Sequence, residues 1–268
     1  MPTPPKFGDV GFTFSPGGDS LLVVYWTDTT VENLVLVDRL TGERTPLGVI
    51  GAYPSWVAGR QDILFTAFGS SARLHPGDWT VQSLGIPGLS PHATWHPTAP
   101  IIAVVSNNGV NTNPPDLWLT DSIGGSLRRI PLAGPPRDQT AAPSWAPDGK
   151  RLVASVVGRL IVLDTSAVDT ASITPPSQYA DFPAWAPGGA WIAYHAHASN
   201  ASEYFTDVFL VRPDGTSRHR LISGALYPKW SPDGSRIAFI RTGDDGESAV
   251  WSVDTLGHDL EQVTFPPH

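Results

Sequence analysis

A chain of 268 residues with 41% hydrophobic and only 16% charged residues has apolar material for one sizeable core and lacks the low-hydrophobicity, high-charge composition of a disordered segment. Its formal charge of -8 and the lack of any Lys/Arg run longer than Arg128-Arg129 argue against nucleic acid as the main partner, because phosphate binding needs a basic surface. Cysteine is absent, which excludes disulfides, thiolate metal sites and a cysteine nucleophile, and no apolar run approaches the roughly 18 residues of a membrane helix.

The predicted elements form a series. In chain order the first is FTFSPGGDSLLVVY around Phe14, followed by the apolar run NLVLVD at 33–38. YPSWVAGRQDILFT around Trp56 comes next, and its follower SARLHPGD is the faintest third-strand candidate. HATWHPTAPIIAVV around Trp95 precedes DLWLTD at 116–121, and APSWAPDGKRLVAS around Trp145 precedes RLIVLD at 159–164. FPAWAPGGAWIAYH around Trp185 precedes DVFLVR at 207–212, and YPKWSPDGSRIAFI around Trp230 precedes AVWSVD at 249–254 and then LEQVTF. The anchors are spaced by 42, 39, 50, 40 and 45 residues, with 38 more to the end. Each unit breaks into short runs rich in β-branched and aromatic residues, punctuated by Gly, Asp and Pro, and no long window has a helical apolar period.

Four antiparallel strands repeated six times predict an all-β fold, a six-bladed β-propeller of four-stranded antiparallel blades, whose ring leaves only short protected edges. The expected blades are 9–50, 51–88, 89–138, 139–178, 179–223 and 224–266 within a single domain, 1–268. The last unit owns its fourth strand and the first unit its first, so the ring is expected to close by blade packing, with residues 1–8 able to add an edge strand. Within the repeated phrase, Trp supplies apolar area worth roughly 3–5 kcal/mol when buried. Pro ends the ladder, Asp favours the turn and Gly takes the positive-φ position. Asp148 and Asp233 are read as turn residues, because Gly188 and Thr98 fill the same position in other units.

The phrase W-[SA]-P-[DG]-G-x-x-[IL]-[AV], the x-L-W-x-x-D third strand and a fourth strand ending in QVT resemble the repeat of TolB-type propellers over about residues 8 to 266. Similar repeats occur in the propeller domains of prolyl-oligopeptidase-like enzymes and in the sensor halves of some bacterial regulators. The resemblance implies an envelope or periplasmic setting. It specifies architecture, and function has to be argued from a site.

In such a blade the proline turns are short and uniform. The loops TDTTVE (27–32), NNGVNTNPP (107–115), HASNASEYFT (197–206) and GDDGE (243–247), with the crossings AGPPRDQTA (133–141) and TPPSQYAD (174–181), vary. That variable-loop face and the axial mouth are the expected working surface. Residues three before each anchor start the inner strands: Gly11, Tyr53, His92, Ala142, Phe182 and Tyr227. Tyr53, His92, Phe182 and Tyr227, with Asp181 beside Phe182, are the candidate binding residues at the channel mouth. His195 and His197 alternate on a strand end and share a face. They are the weak metal alternative, with Glu203 or Asp207 as a third ligand. His92 and His96 flank Trp95 and are not expected to converge.

The chain contains no G-x-S-x-G elbow, P-loop, HExxH or G-x-G-x-x-G motif. The leading expectation is a non-enzymatic, monomeric module that binds a protein or peptide partner or a ligand through the variable-loop face and the axial mouth, with no cofactor, no nucleic acid and no membrane insertion. The rivals are a metal-dependent propeller hydrolase or lyase built on Asp181, His92 and His195, and the detached propeller of a larger peptidase or regulator.

Overall fold

The structure is a computed structural model that describes residues 8–26, 32–57, 59–60, 62–67, 69–84, 92–106, 116–125, 127–130, 143–165, 170–198 and 206–266. Among these residues there are strands and turns and no helix. The first group is β1 (Gly8–Phe14), β2 (Ser20–Trp26), β3 (Glu32–Asp38) and β4 (Arg44–Ile50). Next come β5 (Ala52–Ser55), β6 (Ile63–Ala67), β7 (Ser70–His75) and β8 (Thr80–Ser83), then β9 (His92–Trp95), β10 (Ile101–Ser106), β11 (Asp116–Asp121) and β12 (Leu127–Ile130). The fourth group is β13 (Ser144–Trp145), β14 (Arg151–Val156), β15 (Arg159–Asp164) and β16 (Thr170–Ser172). The fifth is β17 (Gln178–Trp185), β18 (Ile192–Ala198), β19 (Asp207–Val211) and β20 (His219–Ser223). The last is β21 (Leu226–Trp230), β22 (Arg236–Thr242), β23 (Ser248–Asp254) and β24 (Glu261–Gln262).

Within each group the strands pair antiparallel in sequence order, as hairpin-sized turns dictate. Four groups are separate four-stranded sheets, whereas the first and last are joined into one eight-stranded sheet. The predicted third strands coincide with β3, β11, β15, β19 and β23, and the faint candidate SARLHPGD overlaps β7. The chain is an all-β, propeller-like fold of four-stranded antiparallel blades.

The core lies between sheets. Apolar residues of one sheet's middle strands pack on the next: Leu22 and Leu34 against Phe65 and Leu74, Leu117 against Leu152, and Ile192 and Tyr194 against Val153 and Leu160. The series closes on itself, because Phe12, Leu21 and Val35 share a cluster with Ala238, Ile240 and Val250.

The proline turns have a structural task that their sequence alone does not show. In each, the glycine N–H bonds back to the residue after the anchor: Gly18 to Ser15, Gly149 to Ala146, Gly189 to Ala186 and Gly234 to Ser231, all at 2.9 Å. These glycines have φ between 70° and 76°, the left-handed region that a side chain disfavours. Three of these four glycines also face the proline of the preceding unit, and Gly149 faces His96. A Cβ on Gly189 would lie 3.3 Å from Pro147, one on Gly234 3.8 Å from Pro187, and one on Gly18 3.3 Å from Pro232. The last of these pairs joins the end of the chain to its beginning. Asp148 Oδ1 accepts from Lys150 N, and Asp233 accepts from Ser231, Ser235 N and Ser235 Oγ. The Ser231 hydroxyl foremost pushes the Asp233 carboxyl down to about 2. The acids of the phrase are turn residues, as read.

Closure differs from the expected packing-only ring. Gly8 makes one parallel bridge to Ser248 of β23, and at φ 123° a Cβ there would come within 2.2 Å of the Ser248 carbonyl oxygen. The next residue, Asp9, is fully buried. Its carboxylate takes a 2.7 Å ion pair from Arg44 and a hydrogen bond from the Thr264 hydroxyl. Thr264 Oγ1 in turn accepts from Val250 N at 2.9 Å. Three segments distant in sequence therefore meet on one buried carboxylate.

Candidate functional site

Three of the inner strands that begin the groups share a defect. Register shifts by one residue between Ala52 and Ser55, between Asp181 and Ala184, and between Leu226 and Lys229. A β-bulge of this kind re-aims a side chain. The aromatic-proline dipeptides explain why it sits here: proline has no N–H to give the ladder and is confined to edges and bulges. The aromatic residue before it takes the strain. Tyr53, Phe182 and Tyr227 have φ of 52°, 49° and 53°, a conformation that costs a non-glycine residue about 1–2 kcal/mol. The same unfavourable choice at three equivalent positions marks a place where side-chain direction matters.

The direction is inward, toward one another. Tyr53 and His92 have ring centroids 4.1 Å apart, and Tyr53 and Phe182 6.1 Å. Phe182 contacts His92 at 5.3 Å and Tyr227 at 4.5 Å. His195 lies behind, 5.1 Å from Phe182 and 5.3 Å from Tyr227, and its Nδ1 accepts from Tyr227 N at 3.0 Å. Rings from four inner strands thus form a touching aromatic layer.

Two residues further along, immediately before each anchor, stand Thr13, Ser55, Thr94, Ser144, Ala184 and Lys229. The hydroxyls stitch neighbouring units together. Thr13 Oγ1 accepts from Trp56 N at 3.1 Å and Ser144 Oγ from Trp185 N at 2.9 Å, while Ser55 and Thr94 hydroxyls are 3.4 Å apart. A small polar side chain here satisfies an inner-edge N–H of the next unit. Lys229 is the exception in size and charge.

These layers bound a cavity of about 350 Å³, within the range of small-ligand pockets. It runs from the aromatic layer, past the hydroxyls and Lys229, to the prolines of the turns. Pro147 and Pro187 are exposed and Pro16, Pro97 and Pro232 half-buried, so the cavity meets solvent on the proline-turn side. Its walls carry the five tryptophans Trp56, Trp95, Trp145, Trp185 and Trp230, and Lys229 is the single charged side chain among the lining residues.

No protein-family model matches the sequence, and none of the curated proteins matches it. Solved structures do. A putative TolB from Agrobacterium tumefaciens superposes with a TM-score of 0.73 at 19% identity, over 86% of this chain and 87% of that one. TolB from Acinetobacter baumannii gives 0.71 at 14% identity, over 94% of this chain but only 63% of that one. The fold is that of a TolB-like propeller. An oligogalacturonate lyase in complex with manganese is similar at a TM-score of 0.57 and 15% identity, over 92% of this chain and 77% of that one. Identities this low relate the folds and not the chemistry.

In this TolB-like propeller the five proposed mouth residues separate. Tyr53, His92, Phe182 and Tyr227 line the cavity as one layer, whereas Asp181 is not among the lining residues. Asp181 is buried, with Phe182 N donating to its Oδ1 at 2.9 Å. His195 and His197 also part. His195 is buried behind the aromatic layer, while His197 stacks on Tyr179 at 5.2 Å and donates to the Ala198 carbonyl. Asp207 pairs with Arg220 instead, and Glu203 lies outside the described residues. Among the described residues no three His, Cys, Asp or Glu side chains converge on a metal position. His96 sits at the other end of the channel from His92 and packs on Trp145 at 4.5 Å. It bonds the Gly149 carbonyl, whose counterpart Gly189 takes the Trp185 indole N–H. The Trp145 indole is left without a partner among the described residues. Lys229 is the functional candidate that sequence reasoning passed over.

Burial sets the titration behaviour. It pushes Asp181 up to about 7 and holds His92 and His195 down to about 3, the charge of Lys229 adding to the effect at His92. The signs oppose. The folded state keeps a proton on Asp181 that the unfolded state releases, so this group lowers stability as pH rises from about 4 to 7. The histidines are neutral when folded and charged when unfolded, so they raise stability from about pH 3 to 6.5. For these three groups taken together, two against one place the combined optimum near pH 6–7. Asp181→Asn keeps an acceptor for Phe182 N and removes the ionisation. It is expected to raise the unfolding midpoint in urea at pH 8 and leave it nearly unchanged at pH 4. An equal effect at both pH values would show that burial does not raise the Asp181 carboxyl.

Proposed function

We propose that the chain is a six-bladed TolB-like propeller that binds a ligand or partner and has no catalytic activity of its own. The blade count treats the eight-stranded sheet as two blades, 8–50 and 226–262, joined by the single bridge at Gly8; each part keeps the four-strand order of the other sheets. The ligand arm of the proposal is the axial cavity. The partner arm, a protein or peptide on the variable-loop face, involves loops of which 27–31, 107–115, 131–142 and 199–205 lie outside the described residues. An extracytoplasmic setting and a monomeric state belong to the same proposal.

The observation that carries the reading is the character of the cavity wall: tryptophan and proline, a few hydroxyls, one lysine and one buried neutral histidine, with no carboxylate among the lining residues. General acid–base hydrolysis or elimination needs positioned acids and bases, and metal catalysis needs converging ligands. The rival set of Asp181, His92 and His195 does not face one space, since only His92 lines the cavity. Ala184→Met tests the reading by placing a longer side chain in the channel. A fragment screen by saturation-transfer NMR is expected to find aromatic binders that the folded variant no longer holds. Turnover of an oligogalacturonate with added manganese would contradict it, as would fragment binding unaffected by the substitution.

A further inference from the structure

Five of the six equivalent positions before the anchors are small, and the four hydroxyls there are tied into the frame. Lys229 breaks that column. Its side chain lines the cavity, and among the described residues it has neither an ion pair nor a hydrogen bond to its ammonium. An uncompensated cation in an apolar cavity is unfavourable, and departures from a locally consistent pattern concentrate at functional sites. The surroundings hold no carboxylate to balance it and include hydroxyls able to donate. A hydroxyl that accepts a backbone N–H, as Thr13 and Ser144 do, keeps its own proton to donate. His92, buried at 5% exposure, has an Nδ1 without a partner among the described residues.

We propose that the cavity holds a small organic carboxylate, its apolar body against the tryptophans and prolines and its carboxylate paired with the Lys229 ammonium. This rests on the ligand-binding reading above and adds the chemistry of the ligand. One cation balances one negative charge. A phosphate monoester, at about −1.5 to −2, would leave charge uncompensated in a desolvated site. The apolar walls favour an aryl or alkyl body over a sugar. The same carboxylate chemistry is offered by a free small acid or by the C-terminus of a peptide entering from the proline-turn side.

The test is calorimetric titration of the intact protein at pH 7 with phenylacetate, phenylacetamide, and acetyl-Ala-Ala-Phe as free acid and as amide. Each acid is expected to bind at least tenfold more tightly than its amide. The preference is expected to fade above about pH 8, and Lys229→Met is expected to bind acid and amide alike. Tighter binding of the peptide acid identifies a chain terminus as the source; tighter binding of phenylacetate identifies a small acid. Equal binding of acid and amide by the wild-type protein, or a preference that survives in the folded Lys229→Met variant, overturns the carboxylate assignment while the binding-module reading stands. Failure of every probe to bind overturns both.

Discussion

Asp9→Ala is expected to destabilise the protein by about 3–5 kcal/mol, the range for removing one partner of a buried ion pair. The carboxylate is fully buried, and its loss strands two groups at once. Arg44 is 14% exposed and loses its 2.7 Å partner. Thr264 loses an acceptor for its hydroxyl while that oxygen still receives Val250 N. The effect is larger than that of an ordinary surface pair because the three segments belong to the two ends of the chain. Without the acid, both the Gly8 bridge and the tail after β24 lose their anchor. Urea unfolding at pH 7 is the measurement, with Asp9→Asn as the milder companion. Adding Arg44→Met to Asp9→Ala should recover part of the loss, because it removes the orphaned charge. A change below about 1 kcal/mol for Asp9→Ala would show that the ring is held by sheet packing alone.

Lys229→Met is expected to do the opposite and stabilise the unliganded protein. Desolvation depresses the lysine from 10.5 to about 8. At about 1.4 kcal/mol per unit this is on the order of 3 kcal/mol against the charged form, and the side chain's partial solvent access reduces it to about 2. The sign follows from the direction of the shift. Below pH 8 the folded state carries a charge that the unfolded state holds more comfortably, so the penalty is complete. Between about pH 8 and 10.5 the folded state has already released the proton, and the penalty fades. The stability gain of the methionine variant should therefore be largest at neutral pH and shrink by pH 10. A gain of about 2 kcal/mol would move the thermal midpoint up by several degrees in a chain of this size. It is expected together with the loss of carboxylate preference, a stability–function trade-off at one residue. A methionine variant less stable than the wild type at pH 7 would mean that the lysine already has a partner.

The frame was legible because each residue of the repeated phrase has its own physical constraint. An anchor such as Trp145, a turn proline such as Pro147 and a positive-φ glycine such as Gly149 recur together only if the same strand-turn-strand recurs. Aligning the strand starts also singled out Tyr53, His92, Phe182 and Tyr227, which converge in space. The strained backbone of Tyr53, Phe182 and Tyr227 was not legible, since it comes from a bulge that only the pairing of β5, β17 and β21 with their neighbours reveals. The bulge also turns Asp181 away from the cavity that Phe182 faces, so adjacency in sequence was misleading there. Lys229 was overlooked because it sits inside the framework phrase, yet a signal was present: one charge in a column of Thr, Ser and Ala. Loop lengths directed attention to the variable-loop face. The cavity also reaches the exposed prolines on the opposite face, which loop lengths do not point to. The closure at Asp9 could not be read from sequence, since its partner Thr264 is 255 residues away.

Lys229 stands without an ion-pair partner among the described residues in an apolar axial cavity. The most direct measurement is the NMR titration of Lys229 in protein grown with lysine labelled at Cε. The chain has three lysines, Lys6, Lys150 and Lys229, so Lys229→Met assigns the resonance. The predicted result is a midpoint near 8 for Lys229, well below the ordinary lysine value of about 10.4. A midpoint at or above about 10 would place the ammonium in solvent or in an ion pair and contradict the account.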